Sequence, residues 1–141
     1  MPSIREKFLG ATKRRYRKSR FVVDGEVVEI GLRSLTEGER TAFEMVRAGA
    51  KNETDVKSAE ASLRRRLIVL MAMELDDKGN VTDTPVFSFD DIIAMEGVDC
   101  GVTCPVYNDA LEHAFITQAD IEELAKNSVG TAGDSSQAKS A

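Results

Sequence analysis

Cys100, Cys104 and His113 are the residues of this chain whose types come nearest to chemistry. Thiolate sulfur and imidazole nitrogen bind zinc, but a closed structural site needs four ligands, and C-x3-C with one distant histidine supplies three. Asp99 or Asp109 would have to complete the set, and no paired-ligand spacing supports either. A histidine can also activate a thiol as a nucleophile. Neither cysteine has a recognisable third partner or oxyanion loop, so two buried free cysteines are expected. The acidic pairs Asp76-Asp77 and Asp90-Asp91 raise a hard-cation site instead. The stretch "DDKGNVTDT" lacks the ligand alternation and terminal bidentate Glu of a calcium loop. A solvated loop and a helix N-terminus account for these acids. No glycine-rich phosphate loop or acyl-transfer elbow occurs. The expectation is a non-enzymatic protein with no catalytic residue, cofactor or metal.

Charge divides sharply along the 141 residues. Residues 1–20 carry eight Lys or Arg against Glu6 alone, a net of +7; the remainder carries 11 basic and 23 acidic side chains. The acidic body disfavours nucleic acid, because phosphate contacts need clustered Lys and Arg. Only "KRRYRKSR", Lys13 to Arg20, has the composition for such contacts, with Tyr16 interleaved. Like-charge repulsion within it predicts a flexible arm, solvated or laid on an acidic partner or a neighbouring subunit. The longest uninterrupted apolar run, Leu67 to Met73, spans seven residues, too few for a bilayer that needs about 20. With no secretory leader and no cysteine framework, a reducing cytoplasmic location is expected.

The elements that would position these groups follow from periodicity and caps. Phe21 to Val23 and Glu26 to Arg33 flank Asp24-Gly25, a two-residue hairpin turn. The second run puts Val28, Ile30 and Leu32 on one face. Thr36 and Glu39 form a capping box before a helix with Ala42, Phe43, Met45 and Val46 on its apolar side, ending at Gly49. A long helix is expected from about Val56 to Leu75, although Leu67 to Leu75 also suits a buried strand. "DDKGNVTDTP" reads as a turn-rich loop, and Ser88 as the cap of "FDDIIAMEG". Pro105 suits the first turn of a helix through about Ile116. Thr117 with Asp120 opens a last helix through Asn127. Val106, Ala110, Leu111, Ala114 and Phe115 share one stripe, and Ile121, Leu124 and Ala125 another. Such stripes are core or a helix-binding face, and Leu111, Phe115, Ile121 and Leu124 are the candidate partner-binding residues.

These readings predict an α+β, mainly helical fold. Residues 1–20 would be a basic arm. Residues 21–127 would be a single domain, a hairpin packed on a small bundle of about four to five helices. Residues 128–141, rich in Gly, Ser and Ala, would be a disordered tail.

The order of segments adds a resemblance. "SIREKFLGA", then "LRSLTEGERTAFE", "RRRLIVLMAMELDDKGN", "FSFDDIIAM" and a closing "IEELAKNS" resemble the tail assembly chaperones of long-tailed bacteriophages. The likeness covers roughly Ser3 to Ser128; the basic run and "VDCGVTCP" depart from it. It implies a protein that binds the helical, hydrophobic tape measure protein in the host cytoplasm, several copies to each. It would deliver that protein for polymerisation of the tail tube protein and be absent from the mature virion. Net negative charge would keep the coated complex soluble. The resemblance also implies a ribosomal frameshift that yields a longer form. Ala125-Lys126-Asn127 can be encoded by a slippery run suited to a −1 shift, which would make the tail a zero-frame ending. The rival readings are a tail-completion or head–tail joining protein retained in the particle, and a small regulatory nucleic-acid binder using the basic arm.

Overall fold

The computed structural model describes residues 2–44 and 63–129. It is an α+β structure, as expected, with six α-helices and four strands among those residues. Helix α1 is Ile4–Leu9, strand β1 Tyr16–Val23, β2 Glu26–Arg33 and α2 Glu37–Glu44. Helix α3 covers 63–71. Strands β3 (Ala72–Leu75) and β4 (Val81–Pro85), helix α4 (Asp91–Ala94), a 3-10 turn Met95–Gly97, helix α5 (Cys100–His113) and helix α6 (Gln118–Val129) complete the order. The expected stop at Gly49, the helix start near Val56 and residues 130–141 of the tail expected from residue 128 lie outside the described residues.

The hairpin is longer than its local sequence suggests. Asp24 and Gly25 both take positive φ, 53° and 78°, the pair of conformations that matches a two-residue turn to strand twist. Behind it β1 pairs with β2 from Val23↔Glu26 back to Tyr16↔Arg33. The boundary expected at residue 20 therefore falls inside a strand, and Tyr16 to Arg20 are no free arm. Four strands form one antiparallel sheet in the order β1-β2-β3-β4, where a lone hairpin was expected. "LIVLMAMEL" is divided, helix to Met71 and strand from Ala72, so both readings of it hold for different residues. The expected loop "DDKGNVTDTP" contains a tight turn and then β4. Asp76 accepts from the amides of Lys78 and Asn80, and Gly79 supplies φ +82°.

β4 curls back across the sheet. Tyr16 and Arg33 both donate to Asp83 Oδ1, at 2.7 and 3.1 Å, and these bonds hold the Asp83 carboxyl below the usual carboxylate range. Gly31 makes the crossing possible, because a Cβ there would lie 2.5 Å from the Val81 side chain and 2.9 Å from the Met73 carbonyl oxygen. On the opposite face, Ile30 and Leu32 meet Phe43, Leu63, Leu67, Met71, Ile92, Val106, Tyr107, Leu111 and Ile121 in one core.

Local caps form as their sequences dictate. Thr36 and Glu39 exchange both capping-box bonds, as do Thr117 and Asp120. Helix α5 begins five residues before Pro105, with Asp99 accepting from the Gly101 amide. Pro105 thus sits inside the helix, and the missing amide bond would have run to residue 101. Helix α6 continues through Val129, so the chain does not leave helix at Asn127.

Candidate functional site

β1 and α5 run antiparallel, and the side chains along them give their interface two ends of opposite character. At the start of β1, Arg15 Nη2 donates to the His113 carbonyl at 2.8 Å. Arg17 spans Glu112 at 2.5 Å and Asp109 at 3.0 Å. The buried Ser19 hydroxyl donates to the other oxygen of Asp109 at 2.7 Å. Arg14 donates to the Ser34 carbonyl and to Glu39. Burial pushes the Glu39 carboxyl up, but the Thr36 amide and Arg14 together outweigh it and leave it lowered. The acidic partner expected for the basic run is therefore the chain's own helix α5, with α2 beside it. Half-exposed pairs of this kind contribute about 0.2–1 kcal/mol each, so geometry rather than strength is their main effect: they set how β1 lies along α5.

At the other end of the same interface lies an open pocket of about 230 Å³. Phe21 of β1 and Ile30 of β2 form one wall and Ile68 of α3 another; Phe87, Met95 and Val98 close a third. Val102, Thr103 and Val106 come from the first turns of α5. Among the described residues no polar atom faces this space. Its volume is below the roughly 300–1,000 Å³ typical of cofactor pockets, and it suits inserted apolar side chains. Its mouth is open at Val98, which is 42% exposed. Phe89 and Ile93, in the segment that supplies this wall, are 57% and 74% exposed. That segment, residues 87–98, carries Asp90, Asp91 and Glu96 and no basic residue.

The expected partner-binding residues separate. Leu111 and Ile121 are core, the latter with no exposure, and Leu124 packs half-buried against that core. They are corrected from interface to interior: except for Phe115, the residues of both stripes are buried or half-buried, and Leu111, Ile121 and Leu124 join the core built on Ile30 and Leu32 of β2. Phe115 alone remains outside, 73% exposed. It occupies a left-handed position, φ 58°, at the end of α5. Ile116 donates back to the Leu111 carbonyl and Phe115 to the Glu112 carbonyl, the paired bonds of a Schellman stop that glycine usually serves. The Arg15 guanidinium lies 4.6 Å from its ring centroid.

The candidate chemical residues are spread along α5. Cys100 is exposed at its first turn, and Cys104 is half-buried with Arg64 donating to its sulfur at 3.3 Å. Both depart from the expected burial, since α5 starts earlier and turns its N-terminus to solvent. His113 is buried at the far end, about 20 Å from Cys100 by helix rise, with Nε2 3.1 Å from the Arg15 carbonyl oxygen. Burial lowers the His113 pKa, against the opposing bond to Arg15. Among the described residues no three His, Cys, Asp or Glu converge as a metal set, and no helix is long and apolar enough to cross a membrane. Residues 125–127 form part of α6, with Ala125 fully buried and Lys126 exposed.

Sequence reasoning missed the pocket because four separate segments build it. The alternation of Phe21 and Ile30 and the apolar side of "FDDIIAMEG" were legible, but not their convergence. Comparison with protein-family models, curated proteins and solved structures gives no match.

Proposed function

We propose that this chain is a tail assembly chaperone of a long-tailed bacteriophage, a non-enzymatic protein that covers apolar helical segments of the tape measure protein. The observation that carries this reading is the open pocket, which no polar atom of the described residues faces. Such a site holds nothing by hydrogen bonds or charge; what it can do is bury apolar side chains, as a groove does for one face of an amphipathic helix. The order of segments that resembles the chaperone family supports the same reading. So does the acidic balance of −5 over the chain, which would keep a coated apolar helix soluble. The protein would act in the host cytoplasm, several copies per tape measure protein, and leave as tail tube protein polymerises.

The basic run gives the nucleic-acid alternative little support, since Arg14 and Arg17 already place their donors on Glu39, Asp109 and Glu112. Co-expression with the long helical tape measure protein tests the proposal. The chaperone should raise the soluble yield of that protein, and Val98→Lys at the pocket mouth should abolish the gain. A tape measure protein equally soluble alone would remove the basis of the function. Abundant recovery of this chain from purified virions would instead favour a particle component. A frameshift at Ala125-Lys126-Asn127 is part of the same proposal. The gene's codons there must allow re-pairing after a one-base slip, with an open −1 frame beyond.

A further inference from the structure

Helix α1 is built but uncovered. Ser3 and Glu6 exchange both bonds of a capping box, yet no residue of Ile4–Leu9 is buried. Ile4, Phe8 and Leu9 are 87%, 79% and 57% exposed, and their spacing puts them on one side of the helix. A six-residue helix is marginal in water by itself, and three large apolar side chains on so short an element are the composition of a docking peptide rather than of a solvated end. The chain also carries a receptor of matching chemistry, the open apolar pocket at Phe21, Val98 and Val102.

The helix does not reach that pocket in its own chain. Arg14 and Arg15 are tied to Ser34 and Glu39, so the free tether is Gly10 to Lys13. From Leu9 to Arg14 it extends at most about 18 Å, and less here, because Gly10, Ala11 and Thr12 donate back to Glu6, Phe8 and Gly10. Phe21 lies seven strand residues beyond Arg14, about 23 Å away, and with the tether folded back no residue of Ile4–Leu9 lines the pocket. The polar end of the β1–α5 interface therefore holds α1 at the wrong end of its own pocket. Charge agrees with docking on another copy. Residues 2–13 carry Arg5, Lys7 and Lys13 against Glu6. Residues 87–99 at the pocket carry Asp90, Asp91, Glu96 and Asp99 with no base of their own; Arg65 of α3 takes up Glu96, which leaves the three aspartates to meet a basic helix.

We infer that α1 of one copy docks through Ile4 and Phe8 into the Phe21–Val98–Val102 pocket of a second copy. Helix and pocket lie on different parts of the chain, so the contact is head-to-tail. Repeated, it closes into a ring or extends as a filament. A client helix and α1 then compete for one pocket, which makes the assembly a reservoir that opens when client is present. The association needs only copies of this chain, so its test is separate from that of the chaperone function.

The test uses the full chain and sedimentation or light scattering over a wide concentration series. The wild type should assemble. Phe8→Glu, with the helix disabled, and Val98→Lys, with the pocket disabled, should each shift to the mass of one chain, weakening association by roughly 30-fold or more, as for an aromatic anchor. Both sites are solvent-exposed, and circular dichroism checks that both variants keep the fold. Mixed in equal amounts, the variants retain one intact helix and one intact pocket between them, and should form a species of two chains and nothing larger. A monomeric wild type, variants that still assemble, or a mixture that remains monomeric overturns the inference; assembly kept by Val98→Lys and lost by Phe8→Glu would mark an α1-to-α1 contact instead.

Discussion

One pair of elements, β1 and α5, makes two contacts that differ in kind. Near Tyr16 and His113 the contact is closed by directional bonds: Arg15 to a helix carbonyl, Arg17 across two carboxylates and Ser19 to one of them. Near Phe21 and Val102 the same two elements diverge around an apolar space that stays open. Ion pairs and hydrogen bonds define angle and register because they tolerate little displacement. Apolar contact tolerates displacement and exchange of partner. The polar end can therefore hold the strand on the helix while the apolar end is left to bind.

Asp109→Ala should break that contrast most. It strips a partner from Arg17 and leaves the buried Ser19 hydroxyl without its acceptor, at a cost of about 1–3 kcal/mol, measurable by urea denaturation. Loss of less than about 0.5 kcal/mol would mean that β1 is held by the hairpin alone.

Acid should act on the same end through His113. Its folded pKa lies below the ordinary value because burial opposes the charged form. The unfolded chain then takes up the proton first, so stability falls as pH drops through about 6.5 and levels once the folded pKa is passed. His113→Gln should flatten that slope in melts taken across this window, although it sacrifices some stability throughout. An unchanged slope would assign the acid sensitivity to other groups.

At the open end, Val102→Ala should cost no more than about 1 kcal/mol, since the side chain is only half-buried and borders existing space. A cost above about 2 kcal/mol, read from the same denaturation curves, would mean that the pocket is part of the core and not a receptor. Phe115→Gly should change stability least. Relief of the left-handed position, about 1 kcal/mol, is offset by loss of the exposed Arg15 stacking, about 0.5–1 kcal/mol. A melting temperature within a few degrees of the wild type is expected. A large drop would show that the ring carries packing beyond its contact with Arg15.

What was legible along the chain had partners close in sequence. The Thr36–Glu39 and Thr117–Asp120 boxes are three-residue devices, and Asp24-Gly25 carries its own turn geometry. β1 failed this condition. "KRRYRKSR" looks self-repelling in isolation, and the acids that neutralise Arg17 stand 92 and 95 residues away. β4 was hidden because "VTDTP" has a loop's composition and gains strand structure from pairing with β3. Pro105 misled for the opposite reason: a strong local preference for the first helical turn yielded to Asp99, which caps α5 earlier.

The sequence by itself determined the α+β class, the hairpin turn, the helix caps and the chain's division into basic and acidic parts, since these rest on intrinsic propensity, i,i+3 bonding and composition. Tertiary structure decided which apolar stripes are interior, that the basic run from Tyr16 onward is a strand bound to α5, and that Phe21, Ile68, Met95 and Val102 surround one open space. The physical reason is range. A cap satisfies its donors within one turn, whereas a pocket exists only when surfaces separated by dozens of residues converge and leave a volume that none of them fills.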